Sequence, residues 1–558
     1  MGGRSGIIES IGSMTSAQEA QIYTVSKPKS ELLLKAINIL VFAGDDLENN
    51  FGEISDFISK KSQIQTSEVY VVLLGDVKEL PVDLVQSTFG DLARLDLPVE
   101  ILFYDDGKGR PPKNLPPATI YHLAELRLVS IQSFDLEGNL KSYARAADGK
   151  LEILFLFPGA MFPVNMGAHR RALNMLAALV EHGFNVTIAY TGASARIRQE
   201  AAPFLRLLAK QIEPFSNKQN PLLKVVVEAK KALRMFVNRL RGIRSISAES
   251  FIDRARLRNN KHLRKALAQL DANNFDAIFV NYAWMLPSVE RKTIYRPLII
   301  CDTHDVQYFR TLSMKGDGKA LTASIRRSKN REISLLRRAD YVLAISERDG
   351  DLLRRDIPVE KVLVAPSSYR YCFMEVRKPR ASSPMVFGFL GRDMPANVVA
   401  LELVLNEWWP AISRYSPASK IVVAGSVCSA PGIRKIAFLN DSIELVGSVR
   451  TVTGFFEGID VLLSPVLVAG GMNFKNAEAI VAGVTLITNR LGAEAIGDGD
   501  LHIANSAQDV IELLKNIELD PEAELQHRAR SQDVLMRKFT PNPAVEMLAA
   551  LISQRKST

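Results

Sequence analysis

The sequence predicts an α/β chain assembled from parallel β-α units. Three observations carry this. Short apolar runs of strand length alternate with longer amphipathic stretches of helix length, the pattern of parallel sheets. Glycine or proline punctuates the alternations, as in LEILFLFPG and VAGVTLITN. The chain has 558 residues, too many for one core, and length alone suggests ~3 to 4 domains.

Residues 1–35 are polar and Ser-rich and read as a mobile tail. The opening MGGRSGIIESIGSMTSAQEAQ carries acids and lacks an apolar signal core, so secretion is not expected. Gly6 stands where N-myristoylation needs Ser or Thr. Residues 36–150 read as an accessory α/β domain of unknown role. AINILVFAG, EVYVVLLGD and VEILFYDDG are its strands. EISDFISKK and PVDLVQSTFGDLARL lie between them with helical spacing. No motif in this block carries an assignable chemistry.

Residues 151–378 form a second α/β block. It opens with the strand LEILFLFPG, the loop AMFPVNMG, the helix AHRRALNMLAALVEHG and the strand FNVTIAY, a complete β-α-β unit. Gly183 lies just past that helix, where a left-handed cap is wanted. DAIFVNYAW, PLIICDTHD and YVLAISE are later strands. A basic insertion, roughly 224–265, separates the early strands from the late ones. Residues 379–540 form a third block, with strands MVFGFLG, KIVVAGS, SIELVGSV, DVLLSP and TLIT. NVVALELVLNEWWPAISRY reads as one helix between its first two strands, and 541–558 as a C-terminal helix.

Composition bounds the function classes. Hydrophobic residues make up 47% and charged residues 23%, ordinary for a globular chain. No apolar run reaches the ~18 residues of a membrane span. The three cysteines, Cys301, Cys372 and Cys428, are odd in number and far apart, which gives neither a disulfide framework nor metal-ligand spacing. A reducing cytoplasmic setting fits. Net charge is +9, compatible with anionic partners without choosing among them.

One stretch carries chemistry. AGGMNFKNAEAIVAGV, Ala469 to Val484, follows the buried strand DVLLSPV. Ligands of parallel sheets sit at the carboxyl ends of strands. Gly470 and Gly471 let backbone approach a ligand closely. The amides from about Gly471 to Lys475, Met472 and Asn473 among them, open a helix whose positive end attracts phosphate. Lys475 adds a charge, and Glu478, one turn on, is able to accept two ribose hydroxyls. The same spacing also fits a plain strand-to-helix turn with solvent-facing polar residues.

PVLVAGGMNFKNAEAIVAGVTLITNRLGAEAIG resembles the C-terminal signature of retaining GT-B-fold glycosyltransferases of family 4. FGFLGRDMPANVVALELVLNEWWPAISRYSPASKIVVAGS is similar to the opening of that family's nucleotide-binding domain, and ILFLFPGAMFPVNMGAHRRALNMLAALVEHGFNVTIAY to the opening of its acceptor-side domain. IICDTHDVQ and LRRADYVLAISERD match its late acceptor-domain strands. The resemblance spans about 151–540. It implies a GT-B fold: two facing Rossmann-like domains, 151–378 for the acceptor and 379–540 for a nucleotide-diphosphate sugar, with the extra α/β domain in front.

The resemblance also assigns roles. Glu478 matches the glutamate that binds the nucleotide ribose. Lys475 and Arg392 fall on basic positions that face the diphosphate. Gly470 stands where many members carry a second glutamate, and Asn473 where a lysine is common. Gly167 matches a glycine where backbone nears the phosphate. His304, in DTHD, matches a histidine that approaches the donor sugar; on its own it also reads as a loop histidine held by Asp302 and Asp305. Glu494 matches a turn acid near the donor and equally reads as a helix-start cap. Arg170 and Arg171 are left without a role.

The activity implied is transfer of a hexosyl group with retention of configuration, with no metal and no cofactor. The acceptor implied is a glycan, a lipid-linked species or another hydroxyl. Readings kept open are a catalytically weak sugar-nucleotide-binding scaffold for polysaccharide assembly and a GT-B-fold epimerase. KVVVEAKKALRMFVNRLRGIR, in the basic insertion, fits a helix lying on the anionic inner face of a membrane. It fits a packed helix with a solvated basic face equally well. Nucleic acid is not an expected partner, because aromatics are sparse and no recognition module is present.

Overall fold

The computed structural model describes residues 20–25, 36–43, 67–74, 84–86, 98–104, 127–134, 140–142, 151–159, 161, 164, 167–191, 205–206, 208–209, 211–215, 267, 274–289, 297–313, 323–367, 384–449, 452–467, 473–494, 496, 501–539 and 542–557. The chain divides into two compact units, one of Met1–Asp148 with Ala202–Lys210, the other of Gly149–Ala201 with Gln211–Thr558.

The first unit holds strands β1 (Ala20–Val25), β2 (Ala36–Ala43), β3 (Ser67–Leu74), β4 (Leu84–Gln86), β5 (Pro98–Tyr104), β6 (Arg127–Phe134) and β7 (Leu140–Ser142). They form one sheet in the order β4-β1-β3-β2-β5-β6-β7. β3, β2, β5 and β6 run parallel, as the β-α alternation predicts. The sequence reading contains neither β6 nor β7, and two further strands differ from it. β1 lies within the stretch read as a tail and pairs antiparallel with β3 and β4. Its Ile22, Tyr23, Thr24 and Val25 are strand-forming types. β4 lies inside PVDLVQSTFGDLARL, read as helix; pairing with β1 overrides the helical period over Leu84–Gln86. EISDFISKK lies outside the described residues.

The second unit has two lobes. The first carries β8 (Leu151–Phe157), β9 (Phe184–Thr191), β10 (Gln211–Phe215), β11 (Ala277–Asn281), β12 (Leu298–Asp302), β13 (Tyr341–Ala344) and β14 (Val362–Val364), all parallel, in the order β10-β9-β8-β11-β12-β13-β14. AIFVN and LIICD are buried along their whole length, because a parallel sheet is covered on both faces. Helices α1 (Gly167–Glu181), α2 (Gln307–Ser313) and α3 (Ala323–Leu336) belong to this lobe. α1 stops where the sequence predicts. Gly183 takes φ 77°, and its N–H donates to Val180 O at 3.0 Å.

The second lobe carries β15 (Val386–Leu390), β16 (Lys420–Ala424), β17 (Ile443–Gly447), β18 (Val461–Leu463), β19 (Thr485–Thr488) and β20 (His502–Ile503), all parallel, in the order β17-β16-β15-β18-β19-β20. Helix α4 (Phe474–Val481) follows β18, and α5 (Pro521–Lys538) and α6 (Asn542–Ser557) close the chain. His182 Nε2 lies 3.6 Å from Glu546 Oε1, so α6 returns to the first lobe. The run read as one helix from Asn397 is interrupted by a π-helical turn, Val404–Trp408, before Trp409–Tyr415. Pro410 has no N–H to give the helix and its ring crowds the preceding turn, and the wider turn absorbs both effects.

Both lobes are Rossmann-like, and each sheet winds outward in both directions from its first strand. The reversals fall between β8 and β11 and between β15 and β18. Crevices for ligands open at the carboxyl ends of the strands at such points.

Candidate functional site

The loop after β8 leads into α1, and the loop after β18 leads into α4. The N-terminal ends of these helices meet. A Cβ added at Gly167, the first residue of α1, would lie 2.5 Å from Cδ2 of Phe474, the first residue of α4. A larger residue here would force the Phe474 ring or the helices to shift. Two helix N-termini, each carrying unpaired amides and a positive dipole end, are brought together at one spot.

The next turn of each helix makes a second bridge. Arg170 Nε of α1 lies 3.6 Å from Glu478 Oε1 of α4, with the arginine buried and the glutamate mostly so. The Lys475 ammonium sits 4.7 Å over the Phe389 ring of β15. Burial lowers its pKa to about 8. Arg170 and Glu478 thus meet across the junction of the lobes, and Lys475 stands beside Phe474 on the same helix.

Two buried networks hold these elements. Arg171 donates from Nε and Nη2 to Asp302 Oδ1 at 2.9 and 2.7 Å, and from Nη1 to Ala365 O at 2.7 Å. This fully buried pair pins α1 to the end of β12. In the second lobe, Ser464 Oγ donates to Asn476 Oδ1 at 2.5 Å, and Asn476 Nδ2 donates to Thr488 Oγ1 at 3.3 Å. Thr488 Oγ1 in turn donates to Ser464 O at 2.7 Å. Asn489 accepts from Val466 N at 3.0 Å and donates to Val466 O at 2.8 Å. α4 and the β18 exit are therefore held on the sheet by polar bonds as well as by apolar packing.

His304 lies just past the end of β12 and is buried. Its φ is 60°, and Tyr282, just past β11, has φ 72°. Among the described residues these are the two non-glycine positions in left-handed backbone, a strain that persists only where surroundings enforce it. The rings enforce it here. His304 stacks on Tyr282 at 4.1 Å between centroids, and Tyr282 stacks on Trp284 at 4.2 Å. His304 Nε2 bonds Asn281 Oδ1 at 2.8 Å, and its backbone N–H donates to Asp302 Oδ1 at 3.3 Å. Burial brings the ring pKa down to about 4; Asp302 opposes this, and Arg171 and His169 add smaller lowering effects. The imidazole is neutral at pH 7.

The sequence-predicted residues distribute as follows. Gly167, Lys475 and Glu478 come together at the α1–α4 junction, with Asn473 at the α4 cap position. Asn473 caps with its backbone carbonyl, which accepts from Asn476 N and Ala477 N, and not with its side chain. Arg392 is exposed, just past the β15 strand end. Glu494 is exposed, 3.8 Å from Arg490, and ends its short helix (Arg490–Glu494), so it does not sit at a helix start there. Gly470, Gly471, Met472 and the basic insertion lie outside the described residues. His304 bonds across to β11 and does not rely on its neighbours in DTHD alone. Sequence reading passed over Asn281, Tyr282 and Asn476 and left Arg171 without a role. A visible signal existed for two of them: Asn281 is the one polar side chain of AIFVN, and Asn476 falls on the apolar face of α4.

One group with metal-ligand chemistry exists among the described residues: His502, Glu524 and His527. Glu524 and His527 belong to α5, and His502 to β20. Glu524 already accepts from His502 at 2.7 Å, Arg528 at 2.9 Å and Thr485 at 2.5 Å. The Arg528 guanidinium beside it balances the carboxylate charge. The group braces α5 to β19 and β20.

Two parallel Rossmann-like lobes with facing helix N-termini define the GT-B class. The chain matches the family profile "Glycosyltransferase Family 4" over 166–368 and "Glycosyl transferases group 1" over 384–518. The two matches, in this order along the chain, support a GT-B glycosyltransferase. No curated protein matches the chain. Among solved structures, TarM is similar with a TM-score of 0.52 at 9% identity, over 73% of this chain and 99% of that one. Anabaena Alr3699/HepE, solved in complex with UDP and glucose, gives 0.50 at 13%, over 72% of this chain and 100% of that one. The N-terminal domain of Candida albicans trehalose-6-phosphate phosphatase gives 0.51 at 10%, over 72% and 96%. At these identities the likeness is one of fold.

Proposed function

We propose that the protein transfers a hexosyl group from a nucleotide-diphosphate sugar to a hydroxyl acceptor, with retention of configuration and without a metal. One observation carries this: the N-termini of α1 and α4 meet at Gly167 and Phe474, with Lys475 and Glu478 on the same helix face of the gap. Glycosyl transfer is limited by departure of the nucleoside diphosphate, whose negative charge grows as the glycosidic bond breaks. Two positive helix ends and Lys475 stabilise that charge without rearranging, which is electrostatic preorganisation. Arg392 at the β15 exit adds a second cation, and the glycines Gly470 and Gly471 with Met472 supply loop amides. Glu478 accepts the ribose hydroxyls, which requires it to exchange its Arg170 contact for the donor. Glu494 borders the sugar. His304 reaches the donor sugar from the first lobe. UDP in the HepE structure is consistent with a nucleotide in such a gap.

The acceptor is a glycan, a lipid-linked species or another hydroxyl compound. The test is a thermal-shift panel of nucleotide sugars, followed by product analysis. A stabilising donor whose sugar appears on an acceptor supports the reading. Glu478→Ala and Lys475→Ala should remove donor binding, whereas His304→Ala should spare binding and reduce turnover. Donor binding unaffected by both Glu478→Ala and Lys475→Ala refutes the assigned site. Binding without transfer, or isomerisation of the donor, selects the scaffold or epimerase reading.

A further inference from the structure

His304 is held by a side chain that the family resemblance assigns to nothing. Asn281 is fully buried at the end of β11. Its Nδ2 donates to Leu156 O at 3.1 Å. A carbonyl oxygen only accepts, so the amide nitrogen must face Leu156. That leaves Oδ1, an acceptor with no proton, facing His304 Nε2 at 2.8 Å. The ring nitrogen must therefore donate. A neutral imidazole carries one N–H, so its Nδ1 bears the lone pair. Among the described residues nothing bonds that Nδ1.

We propose that Asn281 is a positioning residue that locks His304 as the neutral Nε2–H tautomer, so that its Nδ1 accepts a hydrogen bond from a hydroxyl of the bound sugar. The tautomer stands on geometry alone; the hydroxyl rests on the donor-site reading above. Three further observations favour the lock. The Tyr282 stack fixes the plane of the ring. The Asp302 carboxylate, which would draw a proton onto the ring, has its Oδ1 engaged by Arg171 and lies 3.9 Å away through Oδ2. The other charged groups near the ring are Arg171 and His169 on α1, and both oppose protonation. His304 is accordingly neither a general acid nor an electrostatic cation at neutral pH. It orients the sugar by receiving a hydrogen bond.

The experiment is nitrogen-15 spectroscopy of histidine-labelled full-length protein, with the His304 signals identified by their loss in His304→Gln. The expected wild-type result is a protonated Nε2 and a bare Nδ1 across pH 5.5 to 8, roughly the window above a strongly lowered histidine pKa. Asn281→Leu removes the acceptor and should shift the ring toward the other tautomer. Asn281→Asp replaces a neutral acceptor with a charged one and should raise the ring's titration midpoint by about a unit or more. In turnover, Asn281→Leu should lower kcat about tenfold or more while changing the donor KM little, and the defect should vanish with the deoxy-sugar donor that lacks the contacted hydroxyl. A ring protonated at Nδ1 or doubly protonated at pH 7 in the wild type overturns the proposal. So does an unchanged ring state in both Asn281 variants. A correct tautomer in a protein that binds no nucleotide sugar overturns the hydroxyl contact and the donor-site reading, while the lock stands.

Discussion

Gly167→Ala tests the meeting of the two helix ends directly. The new methyl would lie 2.5 Å from Phe474 Cδ2 and 2.9 Å from Cε2. Ordinary carbon contacts lie at ~3.5–4.0 Å, so the gap must open by about 1 Å. Phe474 is packed against the buried cluster of Ala477, Ile480 and Leu486, so its ring leaves only by giving up that contact. The alternative is separation of α1 from α4. Overpacking of this kind costs about 1–3 kcal/mol, or about 5- to 150-fold in an equilibrium constant. Alanine also favours helix over glycine by up to ~1 kcal/mol, which acts in the opposite direction on stability. A single stability value therefore does not decide the matter. The deciding quantity is the coupling between Gly167→Ala and Phe474→Leu, measured in urea unfolding and in donor affinity by calorimetry. Leucine withdraws the ring, so the double variant should recover at least half of the loss seen with Gly167→Ala alone. Coupling near zero in both measurements refutes the contact and, with it, the converging helix ends.

Arg171→Met leaves the Asp302 carboxylate buried without its partner and should cost about 3–5 kcal/mol in chemical denaturation, while the double change Arg171→Met with Asp302→Leu should recover much of it. Lys475 has a pKa lowered to about 8 by burial, and a diphosphate raises it on binding. Affinity should therefore be full below pH 8, fall as pH rises through it, and lose this dependence in Lys475→Met; calorimetry across pH reads the slope. Burial alone would raise the Glu524 pKa, but bonds from His502, Thr485 and Arg528 outweigh it and bring it to about 2. Its stabilisation should be complete above the unfolded value near 4.5 and lost as pH falls toward 2, and Glu524→Gln should flatten that acid limb in thermal melts. His304 lies below its unfolded pKa of 6.5, at about 4, so its neutral burial stabilises above pH 6.5 and becomes a liability between 6.5 and 4; His304→Phe should remove that dependence.

The two lobes were legible because parallel β-α units write themselves locally. LEILFLF, AIFVN and LIICD are apolar but for one residue each, since both faces of such a strand are covered. Gly183 was legible because a helix end needs a particular residue at a particular place. PVDLVQSTFGDLARL misled for the converse reason. Its period favours a helix, but pairing of Leu84–Gln86 with β1 is worth more, and that pairing joins residues about 60 apart. The site divides along the same line. Lys475 and Glu478 share one helix, so a spacing of three is enough to put them on a common face. Asn281 and His304 are 23 residues apart, and Arg171 and Asp302 131 apart. No local pattern relates them, because only the side-by-side placement of β8, β11 and β12 brings their ends together. The sequence alone marked most strands of the two lobes and put Lys475 and Glu478 on one helix. The tertiary structure alone decided which neutral form His304 takes and which arginine of the pair faces the gap, since both depend on partners supplied by distant strands.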